Sequence, residues 1–358
     1  MEYKVLRRRT CATCASLAFL LLPVAAAAHE VYVLTPEEIT AAMAGERSSH
    51  VATIAEHLGQ FMFWGLVTSI VVTTVFFMSI SHWLENLSAP FFRRIKSYAP
   101  YVLQVGLGVS LLCTAWYGAF MGPELPFNAI FGSVAWLARV ILVLCGASIL
   151  LGYNARSAAI AALLLFLPVA AKHGTYLLTY TEYIGALLFV AIGGGGYATR
   201  MPVRRTQTGE ARLAARLESW MRVLLQYRYA ILRMSFGFAV MFAAVYAKIV
   251  HNSLALAVVD TYDLTSYALF SAFEPNFLVL GAALIEFLAG LLLFLGIEIR
   301  HTVVFLAFWL TLSLLFFGEA VWPHIILFAI AGTLFLYGYD AYSLEGRFFK
   351  KGGREPVL

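Results

Sequence analysis

The chain contains nine apolar segments, each long enough to cross or nearly cross a lipid bilayer as a helix. They lie at roughly residues 59–81, 100–119, 134–152, 157–172, 177–196, 229–250, 276–297, 301–319 and 324–340. Only 13% of the 358 residues are charged and 61% are hydrophobic, whereas a soluble protein of this length is far more polar. The pattern predicts an all-α integral membrane protein.

The first 28 residues have the three parts of a secretory signal peptide. Basic residues between Lys4 and Arg9 precede an apolar stretch, Ala15 to Val24, and Ala26 to Ala28 provide a cleavage site. Cleavage would make His29 the mature N-terminus, and the alternative is an uncleaved anchor helix. Residues 29–58 are then an extracytoplasmic segment, and residues 59–81 form one extra transmembrane helix.

Basic residues follow the positive-inside rule if the mature N-terminus is outside. Sixteen lie in the connections that would face the cytoplasm, and two, Arg47 and Lys172, lie in the external ones. This predicts a multi-pass protein of the cytoplasmic membrane of a prokaryote, with its C-terminus in the cytoplasm. The tail, residues 341–358, is part of the basic surface.

The segment 198–228 is a basic linker that divides the chain. Leu213, Leu217, Trp220 and Leu224 recur in it at helical spacing, so it is predicted to be an amphipathic helix lying on anionic lipid. Membrane lipid is the partner that this indicates. No nucleic-acid-binding motif accompanies the positive charge, so nucleic acid is not an expected partner.

The blocks on either side of this linker look like copies of one another. The sequence LQVGLG at Leu103–Gly108 matches LRMSFG at Leu232–Gly237, and GASILLGYNAR at Gly146–Arg156 matches GLLLFLGIEIR at Gly290–Arg300. Each block has four spans and both begin on the same side. We therefore expect tandem duplicated four-helix transmembrane bundles, at residues 98–197 and 229–340, plus one extra N-terminal span.

The second block resembles the DoxX/DoxD group of four-helix membrane proteins. The resemblance rests on an Arg-containing first span that ends in a Lys, followed by a Glu, two glycines and an Arg in the third element. The matching residues are Arg233, Gly237, Lys248, Glu286, Gly290, Gly296 and Arg300. The first block resembles the family only as a degenerate copy. The resemblance implies a membrane component of a redox system with a periplasmic or membrane redox partner. If it is an enzyme, the expectation is a quinone-linked oxidoreductase subunit.

Ionisable side chains within the second block indicate where chemistry would occur, because charges in a bilayer are costly. Lys248, Glu286 and His324 are predicted to form a polar cluster near the outer half of this bundle, able to carry a proton or hold a polar head group. Arg233 and Arg300 would support it. The alternative is that Lys248 and His324 reach the outer interface while Glu286 bonds a neighbouring helix.

The first copy lacks these charges. Gln104, Ala119 and Leu142 stand where the second copy has Arg233, Lys248 and Glu286. The first copy has other polar residues, and Arg139 and Glu182 are predicted to form a structural pair across helices. The first block is therefore expected to be a packing partner of the second.

Two further hypotheses come from the external segment. A mature N-terminal His29 could chelate copper through its amine and ring, with His50 and His57 as further ligands. Alternatively, the protein is a non-catalytic membrane subunit whose external arm docks a periplasmic partner. A thiol mechanism has little support, since Cys113 and Cys145 lie in apolar spans where thiols are usually inert.

Overall fold

The computed structural model describes residues 61–194, 223–267 and 273–349, together with residues 34, 38, 41 and 42. Its regular structure in these ranges is helical, with no strand. The predicted signal peptide and nearly all of the external segment and linker lie outside the described residues, as do residues 350–358 of the tail.

The described part of the chain forms a series of α-helices joined by short turns. The helices are α1 (Phe61–Ile95), α2 (Ala99–Tyr117), α3 (Phe127–Phe131), α4 (Ala135–Leu151), α5 (Ala155–Leu164), α6 (Phe166–His173), α7 (Thr181–Gly193), α8 (Arg228–Val245), α9 (Asn252–Thr261), α10 (Pro275–Leu295), α11 (Ile299–Phe317) and α12 (Val321–Tyr337). A 3-10 segment, Gly174–Tyr180, joins α6 to α7, and a π-helical turn, Tyr246–Val250, extends α8.

Six helical runs in this part of the chain are long and apolar enough to cross a membrane. They are Leu87–Tyr117, Phe127–Leu151, Ala155–Gly193, Leu225–Val250, Pro275–Leu295 and Ile299–Phe317. Shorter apolar helices cover Val67–Ser81 and Val321–Tyr337. The protein is therefore an all-α, multi-pass membrane protein, as the sequence predicts.

Two predicted spans, 157–172 and 177–196, fall within the single run Ala155–Gly193. The chain reverses inside this run, because α7 packs back against α5. Gly174, with φ of +56°, begins the 3-10 segment between them, and glycine adopts this left-handed backbone without the penalty that a Cβ carries. The run therefore contains two antiparallel passes.

In the ranges that the structure describes, eight helical passes form a closed ring. Within the first block α2 packs on α4, α4 on α5, and α5 on α7, and within the second α8 packs on α10, α10 on α11, and α11 on α12. The main contacts between the blocks are α2 against α12 and α7 against α8. The first helix of each block thus packs against the last helix of the other, which is the arrangement that a two-fold relation between parallel copies produces.

Left-handed backbone positions recur in the two blocks at a constant spacing. Gly152, Asn154, Gly174 and Gly194 all have positive φ, and so do the residues 144 positions later, Gly296, Glu298, Gly318 and Gly338. In each block these positions fall at the same helix ends. The two blocks therefore share backbone geometry as well as sequence, which supports duplication. The domain boundaries given above remain predictions.

Glycine pairs allow the first two long helices of each block to approach closely. A Cβ on Gly237 would lie 2.6 Å from the carbonyl oxygen of Gly290, and one on Gly108 would lie 3.0 Å from that of Gly146. Small residues also line both contacts between the blocks, where Gly106 meets Ala329 and Gly185 meets Ser235. Close packing of backbones is the usual means by which membrane helices associate.

Helix α1 runs further than the predicted span 59–81, ending at Ile95. Arg93 and Arg94 occupy its last turn, where cations interact favourably with the helix dipole. Its Ser81 hydroxyl lies 2.5 Å from Glu298 Oε1 at the turn between α10 and α11. This hydrogen bond attaches α1 to the second block.

Candidate functional site

A cavity of about 110 Å³ lies between the last part of the first block and the helices of the second. It is lined by Tyr176, Thr179, Tyr180, Glu182, Phe236, Ala239, Val240, Ala243, Tyr246, Ala247, Glu286, Leu306, Trp309, Leu310, Pro323, His324 and Leu327. Most of these side chains are aromatic or aliphatic, and three of the others are ionisable: two carboxyl groups and one imidazole. Such a lining, apolar with a few convergent polar groups, is typical of ligand sites.

Glu286 is held on the cavity wall by two partners. Lys248 Nζ lies 2.9 Å from Glu286 Oε2, and both side chains are buried. Trp309 Nε1 donates a hydrogen bond of 3.0 Å to Glu286 Oε1. Lys248 occupies the π-helical turn at the end of α8, which brings its amine to the middle of α10. The pair offsets the cost of burying either charge alone.

His324 has a fixed orientation. Its Nδ1 lies 2.9 Å from the carbonyl oxygen of Ala320, and because a carbonyl only accepts, Nδ1 carries a hydrogen. Its Nε2 lies 3.4 Å from Glu319 Oε2, and Ser313 donates a 2.5 Å hydrogen bond to the other oxygen of that carboxylate. If the imidazole is protonated, its Nε2–H faces the Glu319 carboxylate. If it is neutral, Nε2 carries a lone pair instead of a hydrogen.

Glu182 is a third functional group of the cavity wall, contributed by the first block. Its side chain is buried, and its Oε2 has no hydrogen-bond partner among the described residues. The predicted pair with Arg139 is wrong: the Arg139 guanidinium lies beside Gly118 at the end of α2, and the residue is exposed. Helical spacing alone does not say how a helix is rotated, and here the rotation turns Glu182 into the cavity.

Two tyrosines connect the cavity to the turn between α2 and α3. Tyr176 donates a 3.0 Å hydrogen bond to Glu124 Oε1, and Tyr180 donates to the same oxygen. Glu124 lies outside the spanning helices. Burial raises the pKa of Glu124 to about 7, although the two hydroxyls act in the opposite direction.

The Glu124 turn is held rigidly in place. Phe120 N–H donates to the Leu125 carbonyl at 2.7 Å, and Phe127 N–H donates to the Gly118 carbonyl at 2.9 Å. The Phe120 ring is fully buried and packs edge-on against the ring of Phe166. The carboxyl group is therefore presented to the tyrosines by packed backbone.

Arg233 and Arg300, predicted to support the cluster, do not line the cavity. Arg233 pairs with Asp340 at 2.9 Å and donates to the carbonyl oxygens of Leu293, at 2.8 Å, and Phe294. Both arginines donate hydrogen bonds to the C-terminal ends of helices, where the last carbonyl oxygens have no partner within the helix.

Arg300 donates a 3.1 Å hydrogen bond to the Phe335 carbonyl near the end of α12. Its guanidinium also lies over the ring of Phe92, 4.1 Å from the centroid. In the first block Gln104 donates to the Ile149 carbonyl at 2.7 Å, which is the position equivalent to Leu293. The amide thus makes one of the bonds that the Arg233 guanidinium makes in the second block.

The copper ligands predicted at His29, His50 and His57 lie outside the described residues. Among the residues that are described, no group of three or more His, Cys, Asp or Glu side chains is arranged to hold a metal ion. Cys113 and Cys145 are free and buried.

Sequence reasoning missed the aromatic part of the site. In the sequence, Trp309 and Tyr246 cannot be distinguished from aromatic residues of an interfacial belt. Their spacing does not show whether they lie at the membrane interface or on the cavity wall. Tyr176, Tyr180 and Glu182 carry a weak signal, since two tyrosines and an acid cluster where α7 begins.

Comparison of the chain with protein-family models, curated proteins and solved structures returned no match. The class established by the fold is that of an all-α membrane bundle, with a largely apolar cavity between its two blocks.

Proposed function

We propose that the protein is a membrane redox component whose cavity receives the ring of a quinone. The observation that carries this proposal is the meeting of Glu286, His324 and Glu182 in one cavity walled by aromatic rings. The resemblance of the second block to the DoxX/DoxD group adds to it. Quinones dissolve in the hydrocarbon of the membrane, which is where these helices lie.

The size and chemistry of the cavity suit such a ring. An apolar cavity of about 150 Å³ in another protein holds benzene, so about 110 Å³ is the right order for one ring with its tail among lipid chains. The carbonyl groups of a quinone need hydrogen-bond donors. Tyr246 and a protonated His324 are candidate donors on the cavity wall.

Reduction of a quinone takes up two electrons and two protons. In this proposal His324 holds a dissociable proton at the cavity wall, while Lys248 and Trp309 hold the Glu286 carboxylate in place. Glu319 faces the Nε2 of His324 and helps to orient its ring. The electrons come from a periplasmic or membrane redox protein bound to this subunit.

Quenching of Trp309 fluorescence tests the binding step. The protein in nanodiscs would be titrated with a short-tailed quinone, and we expect saturable quenching that Trp309→Phe largely removes. Glu286→Gln should weaken binding by about 10-fold, the value of one or two lost polar contacts. Glu345→Gln, which alters a buried carboxyl group away from the cavity, is the matched control. Unsaturable quenching, or equal affinity in Glu286→Gln, would contradict the proposal.

We also propose the orientation that the positive-inside rule implies. Arg93, Arg94 and Arg347 lie at one end of the bundle, which we name the basic end, and this end faces the cytoplasm of a prokaryote. The Glu124 turn then faces outward. Labelling of single cysteines introduced at the exposed residues Asn128, in the connection that contains Glu124, and Arg347 by an impermeant reagent on intact cells would report the orientation.

Copper binding at His29 and a non-catalytic docking role remain alternative hypotheses. Native mass spectrometry of the protein extracted gently from membranes separates them, because one spectrum reports the mature N-terminus, bound copper and retained quinone. The described part of the external arm packs on the protein itself, with Leu34 buried against Leu254 and Val258 of α9.

A further inference from the structure

The described carboxyl groups in and beside the cavity outnumber by one the basic side chains that face them. Glu286 is paired with Lys248, and Glu319 faces His324. Glu182 has no ion pair in the described part of the chain, and one of its buried oxygens has no hydrogen-bond partner there. A charged carboxylate buried in this way is very costly, so the group takes its neutral, protonated form instead.

A route for this proton leads away from the basic end. Tyr180 lines the cavity, as Glu182 does, and donates a hydrogen bond to Glu124. Tyr176 lines the cavity too and reaches the same carboxylate oxygen. A phenol hydroxyl can accept a hydrogen bond while it donates one. Each tyrosine can therefore pass a proton between Glu124 and a group in the cavity.

The cavity that Tyr176, Tyr180 and Glu182 line has room for water. A water molecule needs about 10–15 Å³ of cavity volume of this kind, and the cavity measures about 110 Å³. Polar atoms of Thr179, Tyr180 and Glu182 lie on the wall to hold such molecules. A few waters would complete a hydrogen-bonded chain from Glu124 to Glu182.

We propose that Glu182 carries a proton in the cavity and exchanges it, through Tyr180, Tyr176 and Glu124, with water at the end of the bundle opposite the basic end. As Glu124 gives a proton to a tyrosine oxygen, that tyrosine releases its own proton toward the cavity and stays neutral, and Glu124, left as a carboxylate, takes up a new proton from the water outside. The first block then serves proton exchange as well as packing.

The surroundings of Glu124 suit a relay group. Burial raises the pKa of Glu124 to about 7, so both protonation states are populated near neutral pH. The titratable groups that bond it are Tyr176 and Tyr180. Lys172, on α6, donates to the Ala129 carbonyl instead.

This inference deepens the proposed function, since a quinone site needs a proton source, but its test uses no quinone. Infrared spectra of the protein in nanodiscs at neutral pH would be compared between wild type and Glu182→Gln. We expect the wild-type spectrum to contain a protonated carboxylic acid band that is missing from Glu182→Gln, identified as the difference between the two spectra because Glu124 and Glu345 are also partly protonated at neutral pH. Glu345→Gln, away from the cavity, should leave the Glu182 band in place.

The relay is tested by transferring the nanodiscs into D₂O and timing the shift of the Glu182 band. Glu124→Gln should slow the exchange by about 10-fold or more, as loss of a proton-transfer group typically does. Tyr180→Phe should slow it less, because Tyr176 still connects Glu124 to the cavity, and the double variant Tyr176→Phe/Tyr180→Phe should match Glu124→Gln. Tyr342→Phe, an exposed tyrosine elsewhere, should leave the rate unchanged.

Absence of the band from wild type, or its persistence in Glu182→Gln, would overturn the assignment of the proton to Glu182. Unchanged exchange in both Glu124→Gln and Tyr180→Phe would overturn the route. A protein that shows the band and the slowed exchange but binds no quinone would retain this inference while refuting the proposed function.

Discussion

At the scale of single residues, the Lys248–Glu286 pair shows how a buried charge is tolerated only through its partner. Lys248→Met leaves the Glu286 carboxylate uncompensated, and removing one member of a buried pair typically costs about 3–5 kcal/mol. We expect a correspondingly lower unfolding temperature in detergent. The double variant Lys248→Met/Glu286→Gln should recover most of that loss. Equal destabilisation by the single and double variants would show that packing, not charge, is what Lys248 contributes.

Glu345 provides a second prediction at this scale, at the basic end. It accepts the backbone N–H of Glu298 at 2.6 Å, and burial raises its pKa to about 7. Because the folded state holds this proton more tightly than the unfolded chain, the stability it contributes is present below the unfolded pKa and is lost as the pH rises toward about 7. Unfolding temperatures measured from about pH 5 to pH 8 should fall more steeply in wild type than in Glu345→Gln. If the unfolding temperatures of wild type and Glu345→Gln fell equally with rising pH, the prediction would be contradicted.

At the scale of helices, the glycine pairs set the distance between the first two long helices of each block. A Cβ on Gly237 would lie 2.5 Å from the backbone nitrogen of Phe294, and backbone cannot move aside as a flexible side chain can. We expect Gly237→Ala to destabilise the fold by about 1–3 kcal/mol, the usual cost of overpacking. Thermal unfolding in detergent measures it. Gly65→Ala, where a Cβ meets nothing within 4 Å, is the control, and an equal effect there would exclude this cause.

The same helices show what the sequence can and cannot predict. The match of Gly146, Gly152 and Arg156 with residues 144 positions later indicated two similar helical hairpins, because glycine at a helix end has a definite backbone role. Charge in an apolar segment indicated that Glu286 needs a partner. Neither signal reports helix rotation, so the aromatic wall and the true surroundings of Glu182 could not be predicted. Arg233 illustrates the same limit, since its partner Asp340 is distant in sequence.

At the scale of the whole molecule, the two blocks meet through helix contacts that do not involve the linker. The last helix of each block packs on the first helix of the other, and both contacts are made by small residues such as Gly106 and Gly185. The cavity exists only because of this arrangement, since Glu182 comes from one block and Glu286 from the other. The blocks should therefore hold together when the chain between them is cut.

A protease site inserted between residues 198 and 222 tests this. After cleavage of the folded protein in detergent, we expect both fragments to elute together and to retain quenching of Trp309 by a short-tailed quinone if that proposal holds. Gly185→Leu, which places a large side chain where a Cβ already lies 2.4 Å from that of Ser235, should make the cleaved halves separate. Gly132→Leu provides the comparison, because a Cβ there meets nothing within 4 Å, although its positive φ carries a backbone cost of its own. Fragments that separate in the wild-type background would mean that the linker, rather than helix packing, keeps the two walls of the cavity together.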